Sequence, residues 1–310
     1  MKKLEISAQT ARWIEENDHR GSIKFIKECG FEAVDFNINS LFNRTYDEKN
    51  LTSFFDKSVE ELFEYYADMK AAAKEYDIAF SQLHSVFPAY FPGDEERTRY
   101  FMEVTKKMIA VAGYLESPCI VVHPWKSLDT AKEVEIEVNM NLYRELIPVA
   151  KQYGVKICLE NLYSIPYRNI IAGPCSTPEE ACMYIDTLNE EAGEDLFGFC
   201  LDIGHARCVG ANIYRFITTL GKKRLTTLHI HDNNGSCDAH LIPYTQMNLD
   251  GSILAIDWEG FIKGLKEIDY EGALAFEIMN AITIIPPDLK PAALTYIAEI
   301  GKYFRSRIEE

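Results

Sequence analysis

Short apolar runs alternate along the whole chain with longer segments in which apolar residues recur every three or four positions. The short runs predict strands at Leu4-Glu5-Ile6, Ala33–Asn37, Ala79–His84, Cys119–His123, Lys156–Glu160, Phe197–Asp202, Leu225–His231 and Ala273–Glu277. Between them, Val59, Leu62, Phe63, Tyr66, Met69, Ala73 and Tyr76 trace one face of a helix, and Ser58 with Glu61 forms a capping box at its start. Residues 95–115 predict a second helix. A third runs from about Thr130, capped with Glu133, to Gly154; it carries Val134, Val138, Leu142, Leu146, Val149 and Tyr153. Thr177-Pro178-Glu179-Glu180 opens another with proline at its first position, and residues 290–308 predict the last.

Strands that are apolar on both faces belong to a parallel sheet covered by helices. Eight strand–helix units in 310 residues match a closed (β/α)8 barrel. The competing architecture, a doubly wound open sheet, usually carries a glycine-rich phosphate turn after its first strand. This chain has neither G-x-G-x-x-G nor a P-loop. With no linker or low-complexity stretch, residues 1–310 read as one domain.

Most predicted strands end in a side chain able to bind a metal or move a proton. These are His84, His123, Glu160, Asp202, the pair His229 and His231, and Glu277. In a barrel of parallel strands all such ends meet at one mouth, where active sites form. Singly, each has a plainer reading as a hydrogen-bonded histidine or a helix cap. Together they form a set of acids and imidazoles whose buried charge needs compensation, and a divalent cation provides it.

The order and spacing of these residues, with their neighbours, resemble the xylose isomerase-like barrel superfamily, which joins sugar isomerases and epimerases with endonuclease IV-type enzymes. The matching pieces are Leu83-His84-Ser85, Val122-His123-Pro124, Leu159-Glu160-Asn161, Leu201-Asp202-Ile203-Gly204-His205, Leu228-His229-Ile230-His231-Asp232-Asn233, Asp238-Ala239-His240, Ile256-Asp257-Trp258 and Phe276-Glu277-Ile278. In the isomerase branch the resemblance implies one metal (Mn²⁺, Mg²⁺, Co²⁺ or Zn²⁺) held by Glu160, Asp202, His229 and Glu277. It also implies that Glu160 and Glu277 move a proton next to a carbonyl through a metal-stabilised enediolate, with a sugar or sugar phosphate as substrate. His205 resembles a substrate contact, and His231 is a substrate or supporting residue. In the endonuclease IV branch the same chain implies up to three zinc ions. His84 and His123 would serve the first and His205, Asp238 and His240 the third, acting on abasic DNA. A non-catalytic sugar-binding barrel is the reading from outside the enzymes.

Charge and composition favour the isomerase. Acids outnumber bases 48 to 32, a net −16, which disfavours a nucleic-acid partner. The segment from His84 to Pro92 is aromatic and neutral, suited to a small organic ligand. The stretch between His240 and Asp257 is longer than the compact glycine-rich turn of the family. Trp125 either stacks on a sugar or covers the rim. Arg207 could meet a phosphate; Tyr163, Tyr167 and Arg168 are candidate contacts in a loop. Lys222-Lys223-Arg224 reads as surface charge on the opposite face, and His19 as exposed. The eight cysteines lack Cys-x-x-Cys spacing and read as reduced packing residues. The early acid at Glu5 argues against a signal peptide, and no uncharged apolar run approaches the ~18 residues of a membrane span. The expectation is a cytoplasmic protein without membrane contact; the sequence itself leaves the oligomeric state open, a homo-oligomer resting only on analogy with relatives that pair.

Overall fold

The computed structural model describes residues 3–11, 18–166, 169–248 and 255–310. Eight parallel strands form a nearly closed barrel with helices between them. They are β1 (Ile6–Gln9), β2 (Ala33–Phe36), β3 (Ala79–His84), β4 (Cys119–Val121), β5 (Lys156–Glu160), β6 (Phe197–Asp202), β7 (Leu225–His229) and β8 (Leu274–Phe276). Each pairs with its sequence neighbour, and β8 pairs with β1 through Ile6 and Leu274. Between β7 and β8 the seam is short. Ile230 bridges Phe276, its N–H donating to the Ala275 carbonyl at 2.8 Å while Glu277 N–H returns to the Ile230 carbonyl at 3.1 Å.

Burial on both faces explains the apolar strands: Val34, Phe36, Ile120, Ile157, Leu159, Phe199, Leu201 and Leu228 are all covered by the helix layer. The main helices are α1 (His19–Glu28), α2 (Asn39–Thr45), α3 (Val59–Tyr76), α4 (Glu95–Tyr114), α5 (Lys132–Tyr153), α6 (Pro178–Ala192), α7 (Ile203–Cys208), α8 (Ile213–Arg224), α9 (Trp258–Glu267), α10 (Met279–Ile284) and α11 (Lys290–Glu309). The Ser58–Glu61 box caps α3 and the Thr177 hydroxyl caps α6. No helix among the described residues is long and apolar enough to cross a membrane.

Several expectations shift. The first strand lies at Ile6–Gln9 rather than Leu4–Ile6, so it ends in Gln9 at the mouth. Pairing in β4, β7 and β8 stops short of His123, His231 and Glu277, which stand just beyond the strands where the barrel opens. The start of α5 has no side-chain cap: the Thr130 hydroxyl is taken by Ser127 at 2.7 Å, and the helix begins after Ala131. His19 is buried, edge-on to Tyr65 and stacked on Tyr66. All eight cysteines are free. Cys29, Cys119, Cys158, Cys175 and Cys200 pack inside, but Cys237 is exposed and Cys182 and Cys208 are half-buried. Lys222 and Arg224 pair with Glu271 and Asp186 at 2.8 Å, as surface charge does.

Candidate active site

Glu160 ends β5, Asp202 ends β6, His229 ends β7, and Glu277 follows β8. All four are buried, and they meet. His229 Nδ1 lies 3.3 Å from Glu277 Oε2, 3.4 Å from Glu160 Oε2 and 3.8 Å from Asp202 Oδ2. Donors bound tetrahedrally at about 2.1 Å to one cation are separated by about 3.4 Å, so these spacings suit a common ion. His229 Nδ1 and Glu160 Oε2 have no hydrogen-bond partner although both are buried. Orphaned polar atoms converging on one point are costly unless something sits between them.

The other candidate residues surround this group. His123 Nε2 is 3.1 Å from Glu160 Oε2 and 3.2 Å from His84 Nε2. On the opposite side of Glu160, His205 Nδ1 is 3.1 Å from Oε1. Asp238 Oδ2 lies 3.2 Å from His205 Nε2 and 2.8 Å from His240 Nε2. The structure therefore brings together the sequence-derived residues His84, His123, Glu160, Asp202, His205, His229, Asp238, His240 and Glu277. Three-donor groups that could hold an ion include His84–His123–Glu160 and His231–Asp238–His240.

The Asp-Ile-Gly-His turn shows how local sequence serves this arrangement. Asp202 caps α7 by accepting the His205 N–H at 2.6 Å, which folds His205 back over the mouth. Asn161 holds the Asp202 backbone from both sides, at 2.8 Å each. His231 Nε2 sits 3.1 Å from both Asp202 carboxylate oxygens, and its ring stacks on His240 at 4.1 Å. A Cβ at position 204 would overlap the His231 ring, which is pinned on both sides and cannot yield. Gly204→Ala should cost about 1–3 kcal/mol of stability, read from urea unfolding; an unchanged midpoint would show that the ring moves freely.

Charge in the pocket is balanced by protons on the imidazoles. Burial pushes the Glu160 carboxyl upward, but His123 and His229 outweigh it and hold it well below the usual range. Burial likewise opposes Asp202 and Asp238, yet the neighbouring histidines bring both down. Burial works against a proton on His229, His205 and His240. The surrounding acids and, at His229, the Cys200 thiol reverse this, holding the first two well above 6.5 and His240 at about 9. His84 goes the other way: burial, then His123 and His229, keep it well below 6.5. Glu277 is raised, chiefly by burial. A cation would displace those protons, as metal binding does generally.

Other predicted contacts take their places as follows. Trp125 is buried, its backbone clamped by Asn139 and its ring edge-on to Tyr90 at 4.9 Å, as a rim residue would be. Arg207 donates from Nη2 to Asn248 at 2.8 Å and lies against Gly235, while its Nε is buried without a hydrogen-bond partner. The Tyr163 ring packs against His205 at 5.0 Å. Tyr167 and Arg168, and residues 249–254 of the long segment after His240, lie outside the described residues.

Gln9, Asp35, Gln82 and Lys126 were missed. Gln9 donates to Glu277 Oε1. Asp35, fully buried, lies 3.4 Å from His229 Nε2 and accepts from Gln82 at 2.9 Å. Lys126 donates to the Tyr163 carbonyl at 2.9 Å, and burial lowers its pKa. The available signal was Asp35 itself, an acid between Val34 and Phe36 in an apolar strand.

The model of the family described as "Xylose isomerase-like TIM barrel" matches residues 23–300. An uncharacterised protein of Methanocaldococcus jannaschii is 29% identical over 205 residues, which is 64% of this chain and 64% of that protein. An inosose isomerase of Halalkalibacterium halodurans is 25% identical, covering 82% of this chain and 88% of its own. Among solved structures, a D-tagatose 3-epimerase-like protein superposes with a TM-score of 0.68 at 21% identity, over 99% of this chain and 98% of the other. The IOLI protein with a binding zinc atom gives 0.68 at 19%, covering 98% of each. D-allulose 3-epimerase from Methylomonas sp. in complex with D-allulose gives 0.68 at 17%, over 99% and 98%.

Proposed function

The chain belongs to the xylose isomerase-like TIM barrel family, and on that premise we propose that it is a divalent-metal-dependent isomerase or epimerase of a sugar or sugar phosphate. The observation that carries this is the convergence of Glu160, Asp202 and Glu277 on His229 Nδ1. Three carboxylates and one imidazole suit Mn²⁺, Co²⁺, Mg²⁺ or Zn²⁺. Once bound, such an ion polarises the substrate's carbonyl and hydroxyl oxygens and stabilises the negative charge that develops on them.

The protein's own groups do the rest. Glu160, which His123 and His229 already hold as the carboxylate before any ion binds, takes the proton from the carbon next to the carbonyl. Glu277, whose proton affinity burial raises, returns one to the carbon skeleton. Gln9 fixes Glu277 through Oε1, leaving Oε2 toward His229. The aromatic wall formed by Phe87 on His123 and Tyr163 on His205 excludes water and offers apolar faces to a sugar ring. The inosose isomerase and allulose epimerase relatives support a polyol or sugar substrate.

In heavy water, the metal-loaded protein should place deuterium on the carbon next to the carbonyl of at least one ketose, aldose or keto-inositol. No incorporation across a broad panel would overturn the reading. The convergence of all nine ligand-competent residues favours one rival, a three-zinc phosphodiesterase. Nicking of abasic duplex DNA by the zinc-saturated protein would establish it instead.

A further inference from the structure

Two imidazoles of the pocket owe their orientation to the backbone. His205 Nδ1 lies 2.9 Å from the Asn161 carbonyl, and His240 Nδ1 lies 3.0 Å from the Glu277 carbonyl. A carbonyl only accepts, so both rings donate from Nδ1 and turn Nε2 to Asp238. His229 is mounted the other way round. Its Nδ1 faces the three carboxylates, and its Nε2 faces Oδ2 of Asp35. His84 repeats the theme. Its Nε2 turns to His123, while its Nδ1 is buried without a hydrogen-bond partner, as is Asp35 Oδ1. Ligand atoms of Asp35, His84 and His229 lie within 4.8 Å of one another, and the two rings stack at 4.9 Å, 9° from parallel. Asp35 is itself fixed: Gln82 donates to its Oδ2, and the Thr227 hydroxyl donates to Gln82.

We infer that Asp35 is a positioning residue that sets the tautomer of His229, and so prepares Nδ1 for the donor group that Glu160, Asp202 and Glu277 complete. This rests on the metal-binding reading above and adds to it a residue that touches neither ion nor substrate. In a neutral imidazole one nitrogen carries the proton and the other a lone pair, and the partner of the first decides which is which. A carboxylate beside Nε2 of His229 draws the proton there and leaves Nδ1 bare toward Glu160, Asp202 and Glu277. A single acid on β2 thereby prepares a ligand on β7.

The test is a zinc titration of wild-type protein and Asp35→Asn against a chromophoric chelator, with ¹⁵N NMR of the zinc-loaded histidines. Asparagine can offer an N–H to His229 Nε2 and so promotes the wrong tautomer. The variant should bind zinc about 10–100-fold more weakly, and the ligating nitrogen of its His229 should no longer be Nδ1 alone. Unchanged affinity with His229 still ligating through Nδ1 would overturn this inference and leave the metal reading intact. If the variant does not fold, the wild-type spectrum decides: His229 bound through Nε2 overturns it. A wild-type protein that takes up no zinc removes both readings.

Discussion

Replacing Glu160 by glutamine will lower turnover by about 10²–10⁴-fold at saturating metal, the range that one positioned acid–base group contributes. The substitution keeps the side chain's size and one of its oxygens, but removes the charge that His123 and His229 stabilise. It removes the carboxylate that takes the proton from carbon. Glu277→Gln should fall in the same range but differ in kind. With Glu160 intact, the substrate's proton still washes out into solvent, while product formation falls because the second carboxyl no longer returns a proton. Measuring solvent exchange and product formation in both variants separates the roles. A Glu160→Gln enzyme that keeps more than a tenth of wild-type turnover would end the assignment of Glu160 as base. Exchange lost equally in both variants would show that the glutamates act only as ligands.

The difference between these two glutamates was not visible in the sequence, although the residues were. Strand periodicity put Glu160, Asp202, His229 and Glu277 at one edge of the sheet, and barrel closure does the rest. What the sequence withheld was phase and partnership. The register of β2 against β3 slips between Val34 and Asp35: Val34 pairs with Phe80 and Asp35 with Gln82. Ser81 is the extra residue, its hydroxyl turned to Ser7 and the Val34 carbonyl. That irregularity brings Gln82 to Asp35, and alternation alone cannot foresee it. Gln9 was hidden because β1 ends three residues beyond the predicted Ile6. His19 was misjudged because its aromatic pocket is built by Tyr65 and Tyr66 of a different helix. The Thr130–Glu133 box failed because a hydroxyl three residues before a glutamate caps a helix only when no nearer partner takes it, and Ser127 does.

Stripping the metal should lower the unfolding temperature by about 6 °C, and the loss should be larger at pH 8 than at pH 6. Asp35, Glu160, Asp202, His229, His231 and Glu277 are all buried in a space that charged groups occupy only when paired. A cation that binds the folded chain and not the unfolded one adds about 4 kcal/mol at a free concentration near 1,000 times its dissociation constant. For a chain of 310 residues, an unfolding entropy of about 2.1 cal/mol/K per residue converts this to about 6 °C. The pH dependence follows from competition. His229 holds a proton well above its ordinary 6.5 in the metal-free protein, and that proton must leave before Nδ1 can bind. Raising the pH makes its departure easier, so affinity and the metal-dependent share of stability both grow. Thermal unfolding with excess Mn²⁺ or Zn²⁺ and with chelator, at both pH values, reads the effect. A midpoint indifferent to metal and chelator would show that protons alone neutralise this pocket and that no cation belongs there.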